Sequence, residues 1–331
     1  MSRPDAGVLG TVGDRSGDFA VLGANGKMGF HLCRMLRRAI EATDGPDSER
    51  RVVAVSRFGS EGARARFEEH GIVAIPADLG VPDQLSRLPA FPNVFFLAGV
   101  KFGTAHDPDL LRRMNVEMPA RVAERFRDSR LVALSTGCVY SFTTPASGGS
   151  TEESDTVPVG DYAISCLGRE AAFRDAADRH GTRSALIRLN YAIDLRYGVL
   201  LDIAQKVAAG LPVDVTMGHV NVVWQSDALS HTIQALPLAD APPFVLNVTG
   251  PGILRVRELA EKFGGHFGKE PVITGAEAES AWLNDASKAH RLFGPPAVGI
   301  DDMIAWVAEW VKAGGETLGK PTRFEARDGN Y

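Results

Sequence analysis

The feature that most constrains the fold is a glycine-rich segment near the start of the chain, residues 23–29, which reads Gly-Ala-Asn-Gly-Lys-Met-Gly. It follows a strand-like apolar run, 19–22, and precedes a helix-like run, 30–40. A glycine turn between a strand and a helix leaves backbone N–H groups free at the positive end of the helix dipole, which favours a pyrophosphate. The spacing G-x-x-G-x-x-G therefore predicts a dinucleotide site. Its residues are Gly23, Asn25, Gly26, Lys27, Met28 and Gly29.

Strand-like runs alternate with helix-like runs from residue 18 to residue 189. The strand-like runs are 19–22, 51–56, 72–75, 93–99, 131–136 and 184–189. This alternation predicts an α/β fold with a doubly wound parallel sheet. The predicted organisation is a flexible arm (1–17), a dinucleotide-binding domain (18–190) and a smaller, mostly C-terminal α/β substrate lobe (191–331), of which about 219–248 interleaves with the sheet.

Composition excludes several classes of protein. The net charge is −5, the hydrophobic fraction is 44% and no basic block is present, so a nucleic-acid partner is not expected. Apolar runs such as 94–100 are too short to span a bilayer, so no membrane association is expected.

The cysteines and histidines point to a cytoplasmic protein without a metal. Residues 1–17 contain no apolar signal segment, and the three cysteines are scattered, which predicts a cytoplasmic chain with free thiols. His106, His219 and His231 lack the spacing of zinc ligands, so no metal site is predicted.

The second predicted strand ends in Ser56 and Arg57. An acidic residue at this point would bind the adenosine ribose and favour NAD. A hydroxyl and a guanidinium suit a 2′-phosphate instead, so the sequence favours NADP over NAD. The alternative is that Arg57 is a solvated loop residue.

The ends of the third and fourth predicted strands offer further candidates for cofactor contacts. Asp78, followed by Leu79, lies where a carboxylate can bond the adenine amino group, or cap a helix over 82–88. Small residues at the end of the fourth strand leave room for a cofactor across the strand ends: the segment is Leu97, Ala98 and Gly99.

With these motifs in place, the chain resembles the extended short-chain dehydrogenase/reductase family, which includes nucleotide-sugar epimerases and dehydratases. The resemblance covers about residues 18–313. Its motifs are the glycine loop, Leu97-Ala98-Gly99 with Lys101, Asn115-Val116, the run 135–140 (Ser-Thr-Gly-Cys-Val-Tyr), Tyr162, the run 188–191 (Arg-Leu-Asn-Tyr), 226–228, 247–250 and 257–260.

The resemblance implies a Rossmann-type fold, NAD or NADP as cofactor, and specific roles. Tyr162 would be the general acid/base, and Thr136 would hydrogen-bond the reacting oxygen while hydride passes between nicotinamide and substrate. Asn115 would take a helix-kinking polar role, as against an ordinary solvated position in the helix. Further implied cofactor contacts are Lys101, Cys166, Leu189 and Asn190; implied substrate contacts are Gly137, Cys138, Asn190, Tyr191 and Trp224.

The chain departs from the family at Cys166, where the resemblance implies a lysine that lowers the pKa of Tyr162. An unperturbed tyrosine has a pKa of about 10, and a neutral thiol supplies no charge to lower it. Three interpretations stay open. Tyr162 works with another cation, such as Lys101, or with a water; or Tyr162 only binds substrate; or the protein binds NAD(P) without turnover. A nucleophilic Cys166 is a fourth idea, which the preference of cysteine for buried packing positions disfavours.

The segment 218–224 lacks the arginine that grips the diphosphate in nucleotide-sugar members of the family. Its absence favours a smaller substrate: a sugar, a sugar acid or a related hydroxy or keto compound. Trp224 would stack on a sugar or pack in the core, and Arg196 and Arg255 would bind an anion or form surface salt bridges. The family also implies a homodimer formed through predicted helices 107–128 and 161–180.

Overall fold

The computed structural model describes residues 1–101 and 107–329. The helices are α1 (Ala6–Gly13), α2 (Gly29–Asp44), α3 (Ala65–Glu68), α4 (Pro82–Ser86), α5 (Pro108–Arg112), α6 (Met118–Arg125), α7 (Asp161–His180), α8 (Val199–Ala209), α9 (Gln225–Gln234), α10 (Val256–Phe267), α11 (Ser287–Phe293) and α12 (Ile300–Lys312). The strands are β1 (Phe19–Leu22), β2 (Val52–Ser56), β3 (Val73–Pro76), β4 (Asn93–Phe96), β5 (Arg130–Thr136), β6 (Arg183–Leu189), β7 (Ala192–Ile193), β8 (Val213–Asp214), β9 (His219–Val220), β10 (Val223–Trp224), β11 (Phe244–Val248), β12 (Leu254–Arg255) and β13 (Ile273–Thr274).

A seven-stranded sheet in the order β3-β2-β1-β4-β5-β6-β11 carries the fold. The pairs β1–β2, β1–β4, β2–β3 and β4–β5 are parallel, with Leu22 opposite Val55 on one side and Phe96 on the other. Both faces of β1 and β4 are buried, which explains why these strands are continuous apolar runs. The predicted α/β class with a doubly wound sheet is confirmed.

The chain forms two compact units. Unit 1 contains Met1–Ser135, Ile164–Arg188 and Leu229–Leu246, and unit 2 contains Thr136–Ala163, Leu189–Ala228 and Asn247–Tyr331. In unit 1, one face of the sheet packs on helices α6 and α7 in an apolar cluster whose largest members are Phe91, Phe96, Phe126 and Phe173. In unit 2, strands form the two-stranded pairs β10–β7, β12–β9 and β13–β8, and helix α8 packs against α10 and α12.

The segment expected to be a flexible arm contains helix α1. Asp5 caps it by accepting a hydrogen bond from the Val8 backbone N–H at 2.8 Å. Val8 and Val12, one helical turn apart, are fully buried, and α1 packs on α2. The many glycines and charges of this segment favoured mobility, but one apolar stripe is enough to dock a short helix on a neighbour.

The predicted long helix over 107–128 is interrupted. Between α5 and α6, residues Arg113–Glu117 form a π-helical turn, and Asn115 lies within it. Pro119 has no N–H to donate to the carbonyl of Asn115, so the regular ladder is broken at that point.

Within the described residues, no helix combines the length and apolar character needed to cross a membrane.

Candidate active site

The glycine-rich segment forms the turn between β1 and α2 in unit 1. The backbone N–H groups of Gly23 and Ala24 donate to the carbonyl of Val55 at 2.9 and 3.2 Å, which joins the turn to the end of β2. The first helical residue is Gly29, and Met28 before it makes no side-chain capping bond. This is the uncapped helix start that an anion can use.

The three glycines of the turn differ in what a side chain at each position would contact. Gly23 has a φ of +84°, and a Cβ there would lie 2.6 Å from the backbone N of Ala98. A Cβ on Gly29 would lie 2.3 Å from the carbonyl O of Ala24, so Gly29 allows the helix to start against the turn. A Cβ on Gly26 would lie 3.2 Å from the carbonyl O of Gly23 and would meet nothing else within 4 Å. Asn25 and Gly26 are exposed, as expected for the part of the turn that faces a ligand.

The residues predicted to follow β2 and β3 lie at the same end of the sheet. Arg57 is exposed and Ser56 half-buried at the end of β2, directly beside the glycine turn. Asp78 does not cap α4, because its carboxylate accepts from the backbone N–H of Gly80 at 2.9 Å and the N-cap of α4 is Val81. Leu79 belongs to the apolar core of unit 1, which accounts for its burial.

Asn115 clamps the chain that follows β4. Its Oδ1 accepts from the backbone N–H of Val100 at 2.9 Å, and its Nδ2 donates to the Val100 carbonyl at 2.8 Å and to the Ser165 hydroxyl at 2.9 Å. Asn115 is fully buried, so the alternative of a solvated helix residue is wrong. The clamp holds the chain between Gly99 and Lys101, while residues 102–106, including His106, lie outside the described part of the chain.

Two charged residues of α7 that motif matching did not single out are also buried in unit 1. Arg169 donates to the Leu134 carbonyl at 2.8 Å and to Asn115 Oδ1 at 2.9 Å. Glu170 accepts from Ser135 at 2.7 Å and pairs with Arg188 at 2.8 Å and Arg174 at 2.9 Å. Burial raises the pKa of Glu170, but the hydrogen bonds and charge of Arg188, with Ser135, hold it below its usual range overall. Both residues could have been identified in the sequence as charged side chains at helix positions that face the core.

In unit 2, Thr136 ends β5 and Tyr162 is the second residue of α7. The Thr136 side chain is nearly buried and accepts from the backbone N–H of Cys138 at 3.2 Å. A Cβ on Gly137 would lie 2.2 Å from Asn284 Oδ1 and 3.1 Å from Asn190 Cβ. Gly137 therefore brings the predicted Asn190 together with Asn284, which the sequence reasoning missed.

Several buried polar atoms of unit 2 surround this turn. Asn190 donates to the Trp282 carbonyl at 3.3 Å, and Leu189 precedes it at the end of β6. Asn284 is 2% exposed, yet neither its Oδ1 nor its Nδ2 has a hydrogen-bond partner among the described residues. Tyr191 has a left-handed φ of +39°, and burial raises the pKa of its hydroxyl well above the usual value. Buried amides of this kind favour a polar ligand or a bound water.

The other substrate candidates are occupied by packing or by salt bridges. Trp224 is 6% exposed and meets Trp306 edge to face, with centroids 5.2 Å apart, which supports its core alternative. Arg196 pairs with Asp194 at 3.3 Å and Arg255 pairs with Glu277 at 2.8 Å, so both arginines already have counterions.

The three cysteines are all buried. Burial raises the pKa of the Cys33 thiol far above its usual range. Cys166 is fully buried in α7, which agrees with a packing role and disfavours a nucleophile. Among the described residues, no group of three or more His, Cys, Asp or Glu side chains is arranged to hold a metal ion.

The family follows from comparison with known proteins. The model described as the NAD dependent epimerase/dehydratase family matches residues 19–193, which is more than half of the chain. The chain therefore belongs to the NAD dependent epimerase/dehydratase family, which confirms the resemblance drawn from its motifs. No curated protein matches.

Solved structures share the fold. MoeE5 in complex with UDP-glucose and NAD is 21% identical with a TM-score of 0.71, over 90% of this chain and 99% of that chain. UDP-glucuronic acid 4-epimerase from Bacillus cereus in complex with NAD is 17% identical with a TM-score of 0.72, over 89% of this chain and 99% of that one. The epimerase Mth375 from Methanothermobacter thermautotrophicus is 16% identical with a TM-score of 0.75, over 94% and 97%. At these identities the likeness is one of fold.

Proposed function

We propose that this protein is an NAD(P)-dependent oxidoreductase or epimerase that acts on a sugar, a sugar acid or a related hydroxy or keto compound. The observation that carries the proposal is the glycine turn, since it joins an uncapped helix start to the ends of β1 and β2 and leaves Asn25 and Gly26 exposed. These residues fit the diphosphate of a dinucleotide. When bound, the nicotinamide would accept or supply hydride.

In this proposal Tyr162 is the general acid/base and Thr136 holds the reacting oxygen. The Thr136 hydroxyl oxygen accepts a hydrogen bond from the Cys138 backbone N–H, and its own proton stays available for donation to the substrate. Asn190, Asn284 and Tyr191 line the adjacent turn with amide and hydroxyl groups, which suit the hydroxyls of a sugar.

The proposed substrate lacks a nucleoside diphosphate. The segment 218–224 has no arginine, and the salt bridges of Arg196 and Arg255 already use the two candidate anion ligands. Among the similar structures, MoeE5 is in complex with UDP-glucose and NAD, and another is a UDP-glucuronic acid 4-epimerase. Both support the sugar part of the proposal. We also propose a homodimer through the helical segments 107–128 and 161–180, to be checked by light scattering of the purified protein.

The test is a turnover assay read in two ways. The purified protein is incubated with NAD or NADP and with glucose, glucuronate, UDP-glucose or UDP-glucuronate; reduction is followed by absorbance and epimerisation by chromatography of products. Turnover of a free sugar supports the proposal, and turnover restricted to UDP-sugars overturns the smaller substrate. Tyr162→Phe is expected to lower kcat by about 100-fold or more, because it removes the proton donor. An unchanged kcat would remove Tyr162 from that role.

One observation favours a second function, which is coenzyme binding without turnover. Position 166 holds a neutral cysteine where the family resemblance implies a lysine, so the charge that would lower the pKa of the acid/base is missing there. Tight binding of NADH or NADPH with no product from any sugar would support this alternative.

A further inference from the structure

Arg169 is a buried cation without a protein counterion in the described residues. It is 6% exposed, and none of the ion pairs found there includes it. The neighbouring carboxylate of Glu170 is turned to Arg188 and Arg174. Buried charges are ordinarily paired, and the described residues supply no anion to this guanidinium, so it suits an anionic or strongly polar ligand.

The contacts among the described residues do not use all the N–H donors of the Arg169 guanidinium. Nη1 binds the Leu134 carbonyl and Nη2 binds Asn115 Oδ1, while Nε is buried with no hydrogen-bond partner among the described residues. A guanidinium carries more N–H groups than these two contacts use.

The guanidinium also lies at the edge proposed for the dinucleotide. A Cβ on Gly99 would come within 2.1 Å of Nη2, so Arg169 is packed directly under Gly99. Ala98, the preceding residue, is packed against Gly23 of the glycine turn. Gly23, Ala98, Gly99 and Arg169 thus form one continuous row within unit 1.

Arg169 follows Cys166 by three residues on the same helix, α7, so both lie on one helical face. Side chains of a helix lean toward its N-terminus, which directs the long arginine back toward the level of Cys166. We infer that Arg169 is the cationic dinucleotide ligand of this protein, in place of the lysine absent at position 166. It donates to ribose or diphosphate oxygens of the coenzyme. This rests on the proposed coenzyme site.

The experiment measures dissociation constants of NADH and NADPH by fluorescence titration for the wild type and for Arg169→Met. Binding is expected to weaken by about tenfold or more, because the charge and the free donors are lost. The double variant Cys166→Lys/Arg169→Met returns a cation to the neighbouring position and is expected to recover most of the affinity. Arg169→Gln removes the charge but still hydrogen-bonds, and serves if the methionine variant does not fold.

Arg130→Met is the matched control. Arg130 also donates to backbone carbonyls, those of Pro237 and Ala239, but it begins β5, whereas Leu134 lies near the end of that strand. The control is expected to keep coenzyme affinity. Folded Arg169 variants that bind both coenzymes as tightly as the wild type would overturn the inference. A wild type that binds neither coenzyme would instead overturn the proposed function on which it rests.

Discussion

At the scale of single residues, the glycine turn combines two kinds of constraint. Gly23 and Gly29 are required by contacts inside the protein, with Ala98 and Ala24 respectively. Gly26 is exposed, and a Cβ there would meet only the carbonyl O of Gly23, at 3.2 Å, so its proposed role is to leave room for a ligand. Substitution by alanine separates the two constraints, because one should affect folding and the other should affect binding.

We expect Gly23→Ala to destabilise the fold by about 1–3 kcal/mol, because its φ of +84° and its 2.6 Å approach to Ala98 both disfavour a Cβ. Gly26→Ala should lower stability much less than Gly23→Ala, because its Cβ would approach only the Gly23 carbonyl, at 3.2 Å, but it should weaken NADH binding. Gly10→Ala is the control, since nothing lies within 4 Å of its Cβ and it stands inside α1. Denaturant unfolding and coenzyme titration measure both effects; equal losses of stability at positions 23 and 26 would contradict this division.

The NADP preference that the sequence predicts depends on Arg57. It is exposed at the end of β2, where a guanidinium can pair with a 2′-phosphate. Arg57→Ala is expected to raise the Kd of NADPH by about tenfold and to leave that of NADH almost unchanged. Arg64→Ala removes an arginine that already pairs with Glu68 and serves as control. Equal effects on the two coenzymes would contradict an NADP preference, and the NAD bound in the similar structures would then be the better guide.

At the scale of elements, Glu170 joins three of them. It lies on α7 and binds Ser135 of β5 and Arg188 of β6, with side-chain exposures of 0% for Glu170 and 3% for Arg188. Removing one partner leaves a buried charge uncompensated, which costs far more than the intact pair contributes. This network therefore fixes the register of α7 against the sheet.

Glu170→Gln is expected to destabilise the protein by about 3–5 kcal/mol at neutral pH, because Arg188 loses its buried counterion. The folded-state pKa of Glu170 is lowered, despite burial, by Arg188 and Ser135. The stabilisation is therefore complete above the unfolded pKa of about 4.3 and is lost as the pH falls through the lower folded-state pKa. Denaturant unfolding at a series of pH values should show that the difference in free energy of unfolding between variant and wild type becomes smaller as the pH falls. Glu68→Gln, in an exposed pair, should show little effect at any pH.

At the scale of the whole molecule, coenzyme binding should stabilise the folded chain. A ligand that binds only the native state at 100 times its Kd adds about 2.7 kcal/mol. We expect the Tm to rise with NADH or NADPH in wild type and to rise far less in Gly26→Ala. Differential scanning fluorimetry over a coenzyme series measures this; an unchanged Tm at saturating concentrations of both coenzymes would contradict the proposed site.

Much of the molecule was predictable from local pattern. The strands β1, β5 and β6 and the helix α7 fall where the sequence predicts them, because burial on one or both faces leaves a repeat in the chain. The errors came where packing overrides local preference. Helix α1 folds because Val8 and Val12 find a neighbour, and the helix over 107–128 changes at Asn115 because Pro119 cannot complete the ladder.

By itself, the sequence determined the class of the fold, the glycine turn between β1 and α2 and the positions of Thr136 and Tyr162 along the chain, since each depends on spacing between near neighbours. Only the tertiary structure decided which distant groups meet. It packed Arg169 beneath Gly99, bonded Asn115 to Val100, Ser165 and Arg169, and left the buried Asn284 amide without a hydrogen-bond partner among the described residues. These contacts join residues tens of positions apart, and a buried charge or amide is recognisable as unpaired only when everything around it is in place.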